Sequence, residues 1–376
     1  MQIIEIILVA FALLGVLDCI AGKHFKLGDE FEKGIHAIGS LVFCMAGFII
    51  LSPAIADILV PILRPVTDFL GIDVSVVAGF FASDSGGGVM AFSLTDSKLW
   101  AGYNGLVVGS LFGWMIAFIP MALNLTDKKY YDDALSGLLC GIATLPVGCI
   151  LGGIILGAPF VKLLITTLPV IIISIITCVG LVLNPDLSKK IFKIIGGILN
   201  IILYFGVGIG LLQRFTGIIL IKNIIPIDEA FATVCYIAML LSGIFPLLAI
   251  VSKLFKKPFT ALGKLLKIDE HSIMGFITTL ANCIPVFSFV GDMNKKGRIM
   301  NYAFATSAAF VFGDQLAFIL AFSKTQNLSG RYLMAVVVSK IVGGITALIV
   351  TQILYKRLGK EEIFKKGSLS IVGVES

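Results

Sequence analysis

The sequence predicts an all-α membrane protein that crosses the bilayer many times. Of its 376 residues, 58% are hydrophobic and 14% are charged, which leaves too little polar surface for a water-soluble domain. Apolar runs of membrane-spanning length recur along the chain. Two further apolar stretches, at about 74–95 and 272–291, are broken in the middle by polar residues or glycines, and the second also contains Pro285. These two stretches are expected to be discontinuous helices.

Nine apolar runs are each long enough to span a bilayer when tilted. They occupy residues 2–21, 36–52, 98–124, 134–157, 163–184, 191–212, 230–252, 298–323 and 332–355. The run at the N-terminus lacks the basic region and cleavage site of a signal peptide, so it is predicted to be an uncleaved first helix.

Basic residues predict how the chain lies in the membrane, because lysine and arginine in short loops stay on the cytoplasmic side. Five lysines precede the second broken stretch, and Lys295, Lys296 and Arg298 follow it. Both of its ends are therefore predicted to be cytoplasmic, so the stretch re-enters the membrane and does not cross it. Nine crossings and two re-entrant stretches place most of the 29 basic residues inside, the N-terminus outside and the C-terminus in the cytoplasm. The net charge of +6 then indicates no nucleic-acid partner.

The two halves of the chain resemble each other. LGIDVSVVAGFFAS at 70–83 aligns with LKIDEHSIMGFITT at 266–279. Because the charges place the halves in opposite orientations, they are predicted to be inverted repeats, with a substrate held near the midplane between the two broken helices. The predicted divisions are repeat 1 at 1–162, a linker helix at 163–190, repeat 2 at 191–358 and a cytoplasmic tail at 359–376.

Three segments carry a resemblance to a known family. They are GFFASDSGGGVMAF at 79–92, LANCIPVF at 280–287 and NYAFATSAAFVFGDQLAF at 301–318. With these segments the chain resembles the ethanolamine permeases of bacterial ethanolamine utilisation, over nearly its whole length. The resemblance implies an integral protein of the cytoplasmic membrane that admits ethanolamine, with no cofactor.

Two alternatives stay open at this level. One is a cation-coupled secondary transporter of another small amine or amino acid, because a cation site built from backbone carbonyls leaves no sequence pattern. The other is an integral membrane enzyme. It is disfavoured because the three histidines are scattered and the sequence contains no catalytic or metal-binding motif. The expected partners are ethanolamine and the lipid bilayer, and a homo-oligomer is neither indicated nor excluded.

The first break contains the strongest candidate for binding a protonated amine. Asp84 lies between Ser83 and Ser85 and precedes Gly86 and Gly87. An ionisable side chain at bilayer depth is costly unless it is paired, which favours a role in substrate binding. The glycines would let the backbone turn and approach a ligand closely. The alternative is that Asp84 caps the helix that follows the break.

Further candidates lie in the second half. Asp314, followed by Gln315, is a second intramembrane acid, and a buried ion pair with Lys340 is preferred to a role in substrate binding. In the second break, either the side chains bind the amine or hydroxyl of the substrate, or they satisfy backbone groups freed by the proline. The side chains concerned are Thr278, Thr279 and Asn282.

Two other groups of residues near the breaks are assigned structural roles. Asn104 and Asn301 occupy similar positions in the two halves and are predicted to form hydrogen bonds between helices. Phe80, Phe81 and Phe276 flank the breaks, where ordinary packing is preferred to cation-π contact because the chain contains 28 phenylalanines.

Overall fold

Eight helices are long and apolar enough to cross a bilayer. The computed structural model describes residues 2–81, 86–254, 261, 263 and 265–357. Within this part of the chain the eight segments are Ile3–Ile20, Gly47–Phe69, Lys98–Leu125, Lys128–Leu156, Phe160–Leu183, Pro185–Thr216, Ile227–Val251 and Gly330–Lys356. The prediction of an all-α protein with many membrane-spanning segments is confirmed.

The described part of the first half consists of helices joined by short turns. In chain order they are α1 (Gln2–Ile20), α2 (Leu27–Leu41), α3 (Gly47–Phe69), α4 (Ala78–Phe81), α5 (Gly86–Leu94), α6 (Lys98–Ala101), α7 (Met115–Leu125) and α8 (Tyr131–Leu156). A π-helical turn, Val42–Ala46, makes α2 and α3 continuous, so this helix is much longer than the predicted run at 36–52. A longer π-helix, Gly102–Gly113, connects α6 to α7, and a 3-10 turn, Val74–Val77, precedes α4.

The second half begins with two long helices and continues with shorter ones. They are α9 (Phe160–Leu183), α10 (Pro185–Thr216), α11 (Ile227–Leu254), α12 (Glu270–Ala281), α13 (Val286–Phe289), α14 (Lys295–Ala308), α15 (Asp314–Thr325) and α16 (Gly330–Arg357). The predicted run over 298–323 forms two helices, because residues 309–313 interrupt it between α14 and α15.

The centre of the molecule is formed by α8, α14, α16 and the π-helix Gly102–Gly113, which pack against one another. Every residue of that π-helix is buried. Gly148 and Gly152 of α8 lie directly against Ser339 of α16, where larger side chains would not fit. The helices α1, α9 and α10 expose rows of large apolar side chains, as expected for surfaces that face lipid.

A hydrogen-bond network joins the two ends of the first broken stretch. Asp73 Oδ1 accepts hydrogen bonds from the backbone N–H of Ser75 at 2.9 Å and from its hydroxyl at 2.6 Å. Asp73 Oδ2 accepts from the hydroxyl of Thr95 at 3.0 Å, although 22 residues separate the two in the chain. Asn104 Nδ2 donates to Ser75 Oγ at 2.9 Å. The network therefore ties both ends of the stretch to the following helix.

The second broken stretch has the same arrangement. Asp269 accepts hydrogen bonds from the backbone N–H and the hydroxyl of Ser272, both at 2.9 Å, and from the backbone N–H of Asn294 at 2.6 Å. Asn301 Nδ2 donates to the Ser272 carbonyl at 3.0 Å. The asparagine follows the serine by 29 residues in both halves. The predicted role of both asparagines as hydrogen bonders between helices is confirmed.

The network around Asp269 predicts a pH dependence of stability. Burial opposes ionisation of Asp269, but hydrogen bonds from Asn294 and Ser272 outweigh it and hold the pKa of this carboxyl below its usual value. A lowered folded-state pKa contributes stability that is present above the unfolded pKa and lost as the pH falls through the folded pKa. Asp269→Ala is therefore expected to cost about 0.5–2 kcal/mol at neutral pH, as for loss of a helix cap.

The measurement is thermal unfolding in detergent, from neutral pH down through the titration range of carboxyl groups. The difference in melting temperature between the parent and Asp269→Ala should disappear at the lowest pH values. Asp292→Ala, at an exposed position just after the same stretch, is the control and should match the parent throughout. Equal melting of Asp269→Ala and the parent at neutral pH would contradict the role of the network.

Packing of α3 against α10 predicts a difference between two glycines of one helix. A Cβ added at Gly206 would lie 2.4 Å from the carbonyl oxygen of Gly47, whereas a Cβ at Gly208 would meet nothing within 4 Å. Alanine favours a helix over glycine by about 1 kcal/mol, while overpacking costs about 1–3 kcal/mol. In thermal unfolding, Gly206→Ala should melt at a lower temperature than the parent. Gly208→Ala should melt at the same temperature as the parent or at a higher one. The reverse order would refute close contact between these helices.

Candidate functional site

Two interruptions in the helices of the second half lie against each other. Residues 309–313 leave the helical path and pair with the end of α12. The backbone N–H of Phe310 donates to the Thr279 carbonyl at 3.0 Å, and that of Phe312 donates to the Leu280 carbonyl at 2.8 Å. A Cβ at Gly313 would lie 2.1 Å from the carbonyl oxygen of Ala281, so this approach requires glycine. The helix over 298–323 is broken because its backbone groups find these partners instead.

The backbone at the interruption is strained. Phe310 has a φ of 61°, a left-handed conformation that bulky side chains rarely adopt. It is held there by hydrogen bonds to its carbonyl from the backbone N–H groups of Gly313 at 2.9 Å and Gln315 at 3.3 Å. Such strained positions concentrate at functional sites.

The helix that follows the interruption presents polar groups to the interior. Asp314 is the first residue of α15 and is half-buried. Gln315 is only 2% exposed, and its Nε2 has no hydrogen-bond partner in the described part of the chain. The N-terminus of a helix carries partial positive charge, which stabilises a carboxylate placed there.

Aromatic rings line the side of α7 that faces the interruption. The ring of Trp114 packs edge-to-face on Phe310, with centroids 5.1 Å apart, and stacks on Phe118 at 5.3 Å. The ring centroids of Phe287 and Tyr302 lie 5.8 Å apart. Trp114 is buried, and among the described residues its Nε1 finds no hydrogen-bond partner. Aromatic rings therefore lie beside both breaks, and the faces of such rings can attract a cation.

Some of the predicted residues of the first break lie outside the described residues, namely Ser83, Asp84 and Ser85. Gly86 and Gly87 begin α5 and are buried. A Cβ at Gly87 would lie 3.0 Å from the carbonyl oxygen of Gly105, and one at Gly86 would lie 3.0 Å from the ring of Phe48. These glycines allow α5 to pack closely against its neighbours.

The predicted polar residues of the second break have different surroundings. The hydroxyl of Thr278 donates to the Met274 carbonyl at 2.8 Å. Asn282 Oδ1 accepts from the backbone N–H of Ile284 at 2.9 Å, so it satisfies a backbone group freed at the break. Thr279 is completely buried, and its Oγ1 has no partner among the described residues.

The remaining predictions concern charge and packing. Lys340 is 1% exposed, and its Nζ donates to the Ser110 carbonyl at 2.7 Å; its pairing with Asp314 stays a prediction. Phe80 packs on Phe112 and Phe276 packs on Phe304, with ring centroids 5.1 and 5.2 Å apart. The side chain of Phe81 lies outside the described residues.

Two cavities differ in size and position. A polar cavity of about 330 Å³ lies at the ends of the first stretch, lined by Arg64, Asp68, Gly71, Ile72, Asp73, Val74, Thr95 and Lys162. A cavity of about 10 Å³ lies at the second break, between α12, α13 and α14. The smaller cavity adjoins the crossing of the two interruptions, where the candidate residues of the second half lie.

Several residues at the crossing were not predicted from the sequence. These are Trp114, Phe287, Tyr302 and Phe310, which belong to apolar runs that contain many aromatics. The sequence does contain one pattern that indicates the break. Gly313 directly before Asp314 and Gln315 is typical of an interruption followed by the start of a helix.

Comparison with known proteins identifies relatives along nearly the whole chain. The profile of a family described as ethanolamine utilisation protein, EutH, matches residues 1–354. A protein of Listeria monocytogenes named probable ethanolamine permease EutH is 38% identical over 370 residues, covering 97% of each chain. A protein of Salmonella typhimurium with the same name is 33% identical, covering 94% of this chain and 95% of its own.

A third relative, the uncharacterized protein YxeR of Bacillus subtilis, is 33% identical over 343 residues, which cover 91% of each chain. No solved structure matches this one. The family profile and the near full-length relatives agree with the resemblance predicted from the sequence. The chain belongs to the EutH family of ethanolamine utilisation proteins.

Proposed function

We propose that this chain is a permease that admits ethanolamine across the cytoplasmic membrane. The observation that carries the proposal is its near full-length similarity to two proteins named probable ethanolamine permeases, at 38% and 33% identity. Eight segments of membrane-spanning length among the described residues, and polar groups at the breaks between shorter helices, agree with a transport pathway.

We further propose that both broken stretches re-enter the membrane. A continuous helix of 22 residues is about 33 Å long and would place its ends on opposite sides of a bilayer. Hydrogen bonds instead connect Asp73 to Thr95 and Asp269 to Asn294, across 22 and 25 residues. Each stretch would then enter and leave on one side, like a hairpin.

The proposed orientation follows from the basic residues and the repeated network. Lysine and arginine flank both ends of the second stretch, which favours the cytoplasmic side. The matching network of the first stretch would lie outside, as expected for inverted repeats. The N-terminus would then be outside and the C-terminus inside.

Cysteine labelling tests both proposals. In a background without native cysteines, Leu265→Cys and Lys295→Cys are expected to react with an impermeant thiol reagent only from the cytoplasmic side. Phe69→Cys and Asp96→Cys should react only from outside. All four positions are exposed, so burial would not explain a lack of reaction. Labelling of Leu265→Cys and Lys295→Cys from opposite sides would show that the second stretch crosses.

Substrate recognition is proposed at the crossing of the interruptions in the second half. Ethanolamine at neutral pH is mostly a protonated amine with one hydroxyl, so it requires acceptors or aromatic faces and a partner for the hydroxyl. Trp114 and Phe310 offer aromatic faces, and Asp314 offers a carboxylate. Nε2 of Gln315, which has no partner among the described residues, can donate to the hydroxyl oxygen. Asp84 would supply a second carboxylate from the first break.

Uptake of radiolabelled ethanolamine into liposomes that contain only this protein tests the function. Uptake above that of empty liposomes is expected, at mildly acid pH where the neutral amine that leaks through lipid is scarce. Accumulation that appears only with a sodium or proton gradient would indicate a cation-coupled carrier. Uptake equal to that of empty liposomes under all gradients would contradict the proposed function.

The role of Asp84 is tested in the same assay. Asp84→Asn keeps the size of the side chain but removes its charge. A hydrogen bond between charged groups contributes about 1.5–3 kcal/mol, so we expect a roughly ten- to hundred-fold loss of apparent affinity at normal membrane abundance. Asp96→Asn, at an exposed position just after the first stretch, is the control. If the concentration dependence of Asp84→Asn matches the parent, Asp84 serves as a helix cap instead.

A further inference from the structure

The small cavity at the second break has the size of one small polar group. Its volume is about 10 Å³, and it is lined by Thr279, Cys283, Val286, Phe287, Val290, Asn301, Tyr302 and Ala305. A cavity of this volume holds about one water molecule. The ammonium head of a primary amine is similar in size to a water molecule. The volume of the cavity therefore suits the ammonium head of such a ligand but not a whole molecule of ethanolamine.

Two unpaired polar atoms belong to residues that line this cavity. Thr279 Oγ1 and Asn301 Oδ1 are buried, and neither has a hydrogen-bond partner in the described part of the chain. Their residues are 0% and 2% exposed. Buried polar atoms of folded proteins nearly always have a hydrogen-bond partner. Two buried atoms without such a partner at one cavity therefore indicate that a binding partner is missing.

The orientation of the Asn301 amide is determined by its surroundings. Its Nδ2 donates to two carbonyl oxygens, those of Ser272 at 3.0 Å and Gly297 at 2.9 Å. Carbonyl oxygens cannot donate, so the amide cannot be turned around. Oδ1 is left on the other side, next to Gly275, where an added Cβ would lie 2.1 Å from it. The unpaired atom of Asn301 is therefore an acceptor.

The other cavity walls also favour positive charge. Phe287 and Tyr302 both line the cavity, and their ring centroids are 5.8 Å apart. Aromatic faces attract cations, and a threonine hydroxyl can accept a hydrogen bond. An amide oxygen, a hydroxyl and two rings together suit a group that has donors only. An ammonium has three donors and no acceptor, so it matches the amide oxygen, the hydroxyl oxygen and the ring faces.

We propose that this cavity binds the ammonium head of the transported amine, with Thr279 Oγ1 and Asn301 Oδ1 as direct ligands. The inference rests on the proposed function and names the atoms that contact the substrate. Carboxylates near the breaks supply a field that attracts the cation, and these neutral oxygens supply short contacts. The break beside Thr279 must open to admit the rest of the molecule, because the cavity has no room for it.

The test compares two buried threonines in the liposome uptake assay. Thr279→Val keeps the shape of the side chain and removes the unpaired hydroxyl, while Thr279→Ser keeps the hydroxyl. Thr306→Val is the matched control, because Thr306 is equally buried and its hydroxyl only donates within its own helix, to the Tyr302 carbonyl at 2.9 Å. Competition by methylammonium probes the ammonium head without the hydroxyl of ethanolamine.

Thr279→Val is expected to lower the apparent affinity for ethanolamine and for methylammonium by the same factor, about ten-fold. Thr279→Ser and Thr306→Val should stay within two-fold of the parent. Loss of ethanolamine affinity with unchanged competition by methylammonium would assign the cavity to the hydroxyl and overturn the proposal. Unchanged affinity of Thr279→Val for both amines would also overturn the proposal, and so would failure of methylammonium to compete in the parent. In each of these cases, ethanolamine uptake by the parent would still support the permease function.

Discussion

The architecture of the second half depends on one constraint: backbone groups that leave a helix inside an apolar layer must find partners in the protein. Water is absent there, and each unpaired group costs several kcal/mol. The interruption at 309–313 meets this constraint by pairing Phe310 with Thr279 and Phe312 with Leu280. These hydrogen bonds join two breaks that are distant in sequence, and they bring the start of α15 next to the end of α12. The candidate site is a consequence of that pairing.

The repeated networks hold these breaks in place. In each half an aspartate accepts hydrogen bonds from a serine at the start of the broken stretch and from a group at its end, and an asparagine of the next helix binds the serine. The breaks themselves differ. In the first half the anchoring asparagine lies in the π-helix Gly102–Gly113, whereas in the second half it lies in α14, which ends at the open interruption 309–313. The halves therefore share their anchors but not the helices that follow them.

Recognition of a small amine by such a site combines attraction with reversibility. Fully desolvating an ammonium is costly, so a site must replace its hydration with acceptors or aromatic faces. A rigid carboxylate contact alone would hold the cation too tightly for rapid release. In the proposed site, neutral oxygens and rings beside the break would provide weaker contacts, and the carboxylates would favour entry of the cation. This division of roles suits a permease, which must bind and then release its substrate.

Composition and the length of the apolar runs alone determined the all-α membrane class, because runs of apolar residues this long suit only a bilayer. The sequence also placed the anchoring asparagines, since Asn104 and Asn301 are polar residues at matching positions of two apolar helices. Only the tertiary structure decided where the predicted run over 298–323 breaks. No proline marks 309–313, and the helix yields there because distant carbonyls of α12 accept its N–H groups while Gly313 permits the contact. The aromatic rings around the site follow from that long-range pairing, which local sequence patterns do not encode.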